Sequence, residues 1–254
     1  MKLLSVVGGR AGIYVTFSDI APISGLYLPD VAAAISERYA FTQLPKYDPD
    51  SLEKLGLAFG MGKFSNGGQD HNIRTLNLYR DGILADCYST EEAVLMLEDL
   101  LKWAAEKFEI RISTIPEGRL HLVSVVIAEF AESVANVFSK FNGVLRLASQ
   151  IYQATYGVER PVSVATVRFD VDPLTVTGTL PQIPGFVIER ELNQPFLSNR
   201  FWCQAPVSTQ DHIRLLEAFE SKEPLTEPQE TEHPIPKRKL TRLDHVSSDP
   251  SGSE

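Results

Sequence analysis

Two aspartates one residue apart give the chain its strongest chemical signal, in Arg168-Phe169-Asp170-Val171-Asp172-Pro173. On an extended strand, side chains at i and i+2 share a face. Asp170 and Asp172 therefore stand together with Arg168, while Val167, Phe169 and Val171 point the other way. Paired carboxylates at a strand end can hold Mg²⁺ or Mn²⁺, as metal-dependent phosphoryl or nucleotidyl transfer requires. Such a centre also needs a third acidic ligand and a turn that holds phosphates, and the sequence offers no motif of that kind. The plainer account is a polar strand face that ends at the Pro173 turn.

A second candidate is His71. Ser65-Asn66-Gly67-Gly68-Gln69-Asp70-His71-Asn72 reads as a glycine-flanked loop, a setting from which Asp70 and His71 could reach a ligand. A flexible surface connection is the plainer account. Cys87 precedes a helix start, where a thiol can become reactive. Hairpin alternation places it in the core instead, and no histidine is near it in sequence. The five histidines and two cysteines form no metal-ligand spacing, and there is no G-x-S-x-G elbow. No cofactor is expected, and Mg²⁺ or Mn²⁺ enters only with the Asp170/Asp172 reading.

Two glycine-rich stretches fail as phosphate sites. Gly8-Gly9-Arg10-Ala11-Gly12 is followed by the alternating Ile13–Ser18 and not by a helix, so it reads as a hairpin loop. Gly56 to Gly62-Lys63-Phe64 has the wrong spacing for a P-loop and no hydroxyl after the lysine.

These residues need elements to carry them. Leu76 to Cys87 reads as a hairpin about Asp81-Gly82, with Leu76, Leu78, Ala85 and Cys87 on one apolar face. Ser89 and Glu92 form a capping box for a helix with Val94, Leu97, Leu101, Ala104, Ala105 and Phe108 inward. The later chain repeats the theme: a strand at 120–127, helical sequence from about 129 to 156, a strand at 162–171, and a hairpin of 186–192 with 200–204. Ser208-Thr209 then opens a closing helix with Ile213, Leu216 and Phe219 inward. The expected fold is α+β, an antiparallel sheet with helices packed on one face. Residues 1–115 and 116–220 read as two similar strand-helix-hairpin-helix halves of one body. Residues 221–254, with five prolines and no apolar period, read as a disordered tail.

With 24 Lys+Arg against 33 Asp+Glu, the 254-residue chain carries a formal charge of -9, which argues against broad nucleic-acid binding. No apolar run approaches the roughly 18 residues of a membrane span, and the apolar stretch at the start is too short for a leader. A soluble cytoplasmic protein without membrane contact is expected.

Charge is missing where burial is most needed. Residues 129–156 contain only Glu129, Glu132, Lys140 and Arg146 as charged positions. Val134, Phe138, Phe141, Leu145, Ala148 and Tyr152 make one helical stripe, and Val137, Val144 and Ile151 make another, while Asn142-Gly143 can bend the helix. The sheet can cover one stripe, and the other needs the first half's helix or a partner chain. Phe138, Phe141, Leu145 and Tyr152 are the interface candidates. The resulting expectation is a non-enzymatic interaction or assembly protein that binds a protein partner or itself. The alternative is the metal-dependent transferase of Asp170 and Asp172.

Overall fold

The computed structural model describes residues 1–46, 56–131, 134, 142–157, 162–170 and 185–221. Their chain order is β1 (Lys2–Tyr14), α1 (Phe17–Ile20), α2 (Leu28–Arg38), β2 (Leu57–Asn66), β3 (Gln69–Tyr79), β4 (Gly82–Cys87) and α3 (Thr90–Phe108). The order continues with β5 (Leu120–Glu129), α4 (Asn142–Tyr156), β6 (Thr166–Phe169), β7 (Phe186–Arg190), β8 (Arg200–Ala205) and α5 (Thr209–Glu220). The strands form one eight-stranded sheet in the order β2-β3-β4-β1-β5-β8-β7-β6, and every neighbouring pair is antiparallel. This is an α+β arrangement, and no described helix is long and apolar enough to cross a membrane.

Three local readings of the sequence need correction. Gly8 to Gly12 is the middle of β1, paired with β4 on one side and β5 on the other, and not a hairpin loop. Its glycines serve close approach: a Cβ on Gly9 would lie 2.0 Å from the Thr90 backbone nitrogen. The start of α3 rests directly on that strand.

Secondly, the stretch around His71 is a tight hairpin. Asn66 pairs with Gln69 across Gly67 and Gly68, whose φ values of 58° and 83° are the left-handed pair that a type I′ turn needs. His71 is thus a strand residue opposite Phe64.

Thirdly, the β3–β4 hairpin turns at Arg80-Asp81, with Tyr79 opposite Gly82 and Leu76 opposite Ala85. The register differs by two residues from the one expected about Asp81-Gly82. A shift of two preserves which residues share a face, so Leu76, Ala85 and Cys87 are all fully buried. Gly82 is needed because a Cβ there would sit 2.6 Å from the Ile13 carbonyl oxygen.

Two apolar clusters hold these elements. The larger gathers Ile13, Leu76, Ala85 and Cys87 from the sheet with Val31 and Ile35 of α2 and Met96, Leu97 and Leu101 of α3. The smaller joins Val126, Ile188, Phe201 and Cys203 to Leu216 of α5, with Phe130 and Val134. Truncating one such leucine to alanine costs about 2–5 kcal/mol. Ser89 caps α3 by accepting the Glu92 N–H, and Ser208 caps α5 by accepting the Asp211 N–H. Residues Met1–Ser221 make one compact unit, and the tail, with its Lys237-Arg238-Lys239 cluster, lies outside the described residues.

Candidate functional site

The helices differ in what lies beneath them. α3 buries Ala93, Met96, Leu97, Leu100 and Leu101, and α5 buries Thr209, His212 and Leu216. α4 is as amphipathic as either, yet buries no residue at all. Val144, Leu147 and Ile151 are 63%, 56% and 52% exposed, and Tyr152 and Tyr156 on the other side of the helix are also exposed. At 100° per residue, Val144, Leu147, Ile151 and Ala154 form a continuous stripe, while Arg146, Ser149 and Gln153 lie on the opposite side. The helix is fastened on the side away from that stripe, where the Ser149 hydroxyl accepts the Val162 N–H at 3.0 Å. Leu145 and Ala148 are half-buried. Tyr152 and Tyr156 meet edge to face at 6.0 Å, which stiffens the last turn.

An uncovered apolar stripe on a regular helix is the usual mark of a contact surface. Of the four interface candidates, Leu145 and Tyr152 fall on α4, and Phe138 and Phe141 lie outside the described residues. Leu147 and Tyr156 escaped the sequence reading. Leu147 was legible as the member that links Val144 to Ile151 at spacings of three and four.

No known protein family matches the chain, and no curated protein matches it.

The carboxylate candidate stands differently. Arg168 Nε donates to Asp170 Oδ2 at 2.7 Å, with both side chains more than half exposed. Asp172 lies outside the described residues. Among the described residues, no group of three or more His, Cys, Asp or Glu gathers to hold a metal.

His71 has its ring stacked on Phe64 at 5.0 Å and its Nδ1 3.4 Å from Glu92 Oε1. Glu92 also accepts the Tyr88 N–H, so the His71 contact ties β3 to the first turn of α3. Nearby, Arg10 Nε donates to Asp86 Oδ2 at 2.9 Å on the sheet face opposite Cys87.

Two further groups have chemistry on paper but no access. Ser124 and His212 are fully buried with Oγ and Nδ1 3.1 Å apart, and His212 sits edge-on to Phe186 at 5.8 Å. Burial pushes the imidazole down to about 4, so it is neutral at physiological pH. Its Nε2 has no hydrogen-bond partner among the described residues. A serine and histidine sealed from solvent, with no carboxylate behind the ring, form a core hydrogen bond and not a nucleophile. Cys87 and Cys203 are fully buried too, and burial raises each thiol to about 12, which keeps the thiolate scarce.

Two hollows flank α2, the larger an open cleft of about 320 Å³ lined by Ser24, Tyr27, Asp30, Glu106, Lys107 and Glu109 among others. An apolar hollow of about 50 Å³ lies between α2, α3 and the sheet, lined by Val31, Ile35, Leu78, Leu101, Ala104 and Phe108 among others. It is too small for a substrate or cofactor, whose sites run to roughly 300 Å³ and more.

Proposed function

We propose that the protein is a non-enzymatic interaction or assembly protein that works as part of a complex, with the apolar stripe of α4 as its principal contact surface. The single observation that carries this reading is that α4 has the periodicity of a packed helix and no buried residue. Ordering a helix whose apolar side faces water wastes the burial that normally stabilises it. A partner that covers Val144, Leu147 and Ile151 restores that burial. A cytoplasmic setting fits the two unpaired thiols, Cys87 and Cys203, which persist best in a reducing compartment. The metal-dependent alternative draws support only from the spacing of Asp170 and Asp172, and Arg168 already neutralises Asp170.

We further infer that residues 1–115 and 116–220 are two similar halves with their helices on one face of the sheet. The strand order supports this, since β1 and β5 are the central pair and each half runs outward from it in the same sense. Cys87 pairs with Gly9 of β1, and Cys203 pairs with Val126 of β5. Cys87 is the last residue of β4 and Cys203 stands two residues before the end of β8, and a Ser-Thr helix start follows each strand. Contacts of α3 with β1, β4 and β5, and of α5 with β5, fit helices gathered over the sheet centre.

The test is affinity capture from native lysate using the full chain and a Leu147→Glu/Ile151→Glu variant. The reading expects a stoichiometric companion on the wild type that the variant loses. Equal capture by both would leave α4 without its role.

A further inference from the structure

We propose that the apolar stripe of α4 has a seat on its own chain, the helix side of β6 and β7, and that closing onto it hides the stripe from a partner. The inference rests on the reading of α4 as an interaction face and supplies its regulation.

Element order defines the seat. The short α1 aside, β1, α2, β2–β4 and α3 follow one another as β5, α4, β6–β8 and α5 do. β2 and β6 are the two edges of the sheet, equally far from the central β1–β5 pair. α2 and α4 therefore hold matching places, each leading from a central strand to an edge strand. α2 fills its place. It packs on β2 and buries Val31, Ala32 and Ile35, in one cluster with Leu57 and Phe59 of that strand. α4 buries no residue.

The matching patch on the second edge stands open. Val167 and Phe169 of β6 pair with Ile188 and Phe186 of β7, and Val167 and Phe186 pack against the cluster that holds Leu216 of α5. Phe169 meets the ring of Phe219 on α5, which places it on the helix side of the sheet. It is 47% exposed, whereas Phe59 on the other edge is 1% exposed. An apolar strand patch and an apolar helix stripe thus both face water, and joining them removes both from it. Charge does not oppose the contact, because Arg146, the one charged residue of α4, lies opposite the stripe.

The connection keeps the two surfaces near each other. The Ser149 hydroxyl holds the Val162 N–H four residues before β6 begins, so the seat stands at high effective concentration. Gly157 follows the helix at φ 70° with open space around it, and it supplies the pivot. A partner that binds the stripe selects the open form and leaves the seat empty.

The test is thiol labelling of the full chain, in which the native cysteines stay silent because both are buried. Ile151→Cys, on the stripe, should label about ten-fold more slowly than Gln153→Cys on the opposite side. Its rate should not depend on protein concentration. Adding Phe169→Asp should raise labelling at 151 to the rate at 153 and increase α4-dependent capture of a partner. Continued silence of Cys203 shows that the second cluster remains folded, and the milder Phe169→Ser replaces Phe169→Asp if it does not. Equal labelling at 151 and 153, or protection indifferent to the Phe169 variant, overturns the seat. Protection that grows with concentration assigns the stripe to a second copy and overturns it as well. In each of these cases the interaction reading stands if capture is still lost in Leu147→Glu/Ile151→Glu, and it falls too if capture is not.

Discussion

Thr90 and Thr209, 119 residues apart, cap each other: the Thr90 N–H donates to the Thr209 hydroxyl at 3.1 Å, and the Thr209 N–H to the Thr90 hydroxyl at 2.7 Å. Each satisfies one of the orphan amides at a helix start with a side chain from the opposing helix. Two positive helix ends abut there, and acidic residues offset them. Glu91 accepts the Gln210 N–H at 3.2 Å, and Ser208 carries Asp211 at 2.8 Å. Burial pushes the Glu91 carboxyl up, but hydrogen bonds from backbone N–H groups and the Ser89 and Thr90 hydroxyls outweigh it and hold it below its usual range. This joint links the two apolar clusters into one body.

Replacing either threonine by valine keeps the shape and leaves a buried N–H unpaired. Each change should cost about 1–3 kcal/mol in urea unfolding. The double variant should cost less than the sum, because both remove the same reciprocal pair. Strict additivity would mean that the joint does not act as a unit. Thr→Ser at either site should recover most of the loss.

Acid should weaken the fold through His212 before the carboxylates titrate. The ring binds protons at about 4 when folded and at its ordinary 6.5 when unfolded. Its stabilising contribution is therefore complete above 6.5 and is lost as pH falls toward 4. By about pH 5 the loss should reach about 2 kcal/mol. Urea midpoints between neutral pH and pH 5 measure it, and His212→Leu should flatten that slope. An unchanged slope would show that His212 is not the titrating group.

Gly9 and Gly8 should respond differently to alanine. At Gly9 the new Cβ meets the Ser89-Thr90 backbone, which cannot move without lifting α3, so the cost should be about 3 kcal/mol or more. At Gly8 it meets the far end of the Arg74 side chain at 2.5 Å, which can swing away, so the cost should stay below about 1 kcal/mol. Thermal unfolding of the two variants makes the comparison, and similar losses would place α3 elsewhere than on β1.

Both thiols should resist a disulfide reagent at mildly alkaline pH in the native protein and react together, two per chain, once it is unfolded. Rapid reaction of either cysteine in the folded state would contradict its burial.

What the sequence made legible follows from the range over which each signal acts. The Ser89 cap and the buried face of Leu76, Ala85 and Cys87 are local, and both are present. The glycines of β1 read locally as a hairpin loop because the reason for Gly9 is Thr90, some eighty residues on. His71 reads as a loop residue from the sequence because the two-residue turn at Gly67-Gly68, which returns the strand at once, shows only in the pairing of Asn66 with Gln69. His212 carries no local signal of burial, and only the sheet beneath it, with Ser124, makes it a core residue. The α4 stripe was legible as excess apolar girth. Which side stays open depends on packing, which leaves Leu145 half-buried and Leu147 outside.

The most direct measurement of the central claim is the capture experiment on the full chain, wild type against Leu147→Glu/Ile151→Glu, with unfolding curves to show that both are equally folded. The α4 account predicts a stoichiometric companion that is retained by the wild type and absent from the variant. A variant that folds equally well and retains the same companion in the same amount would contradict it.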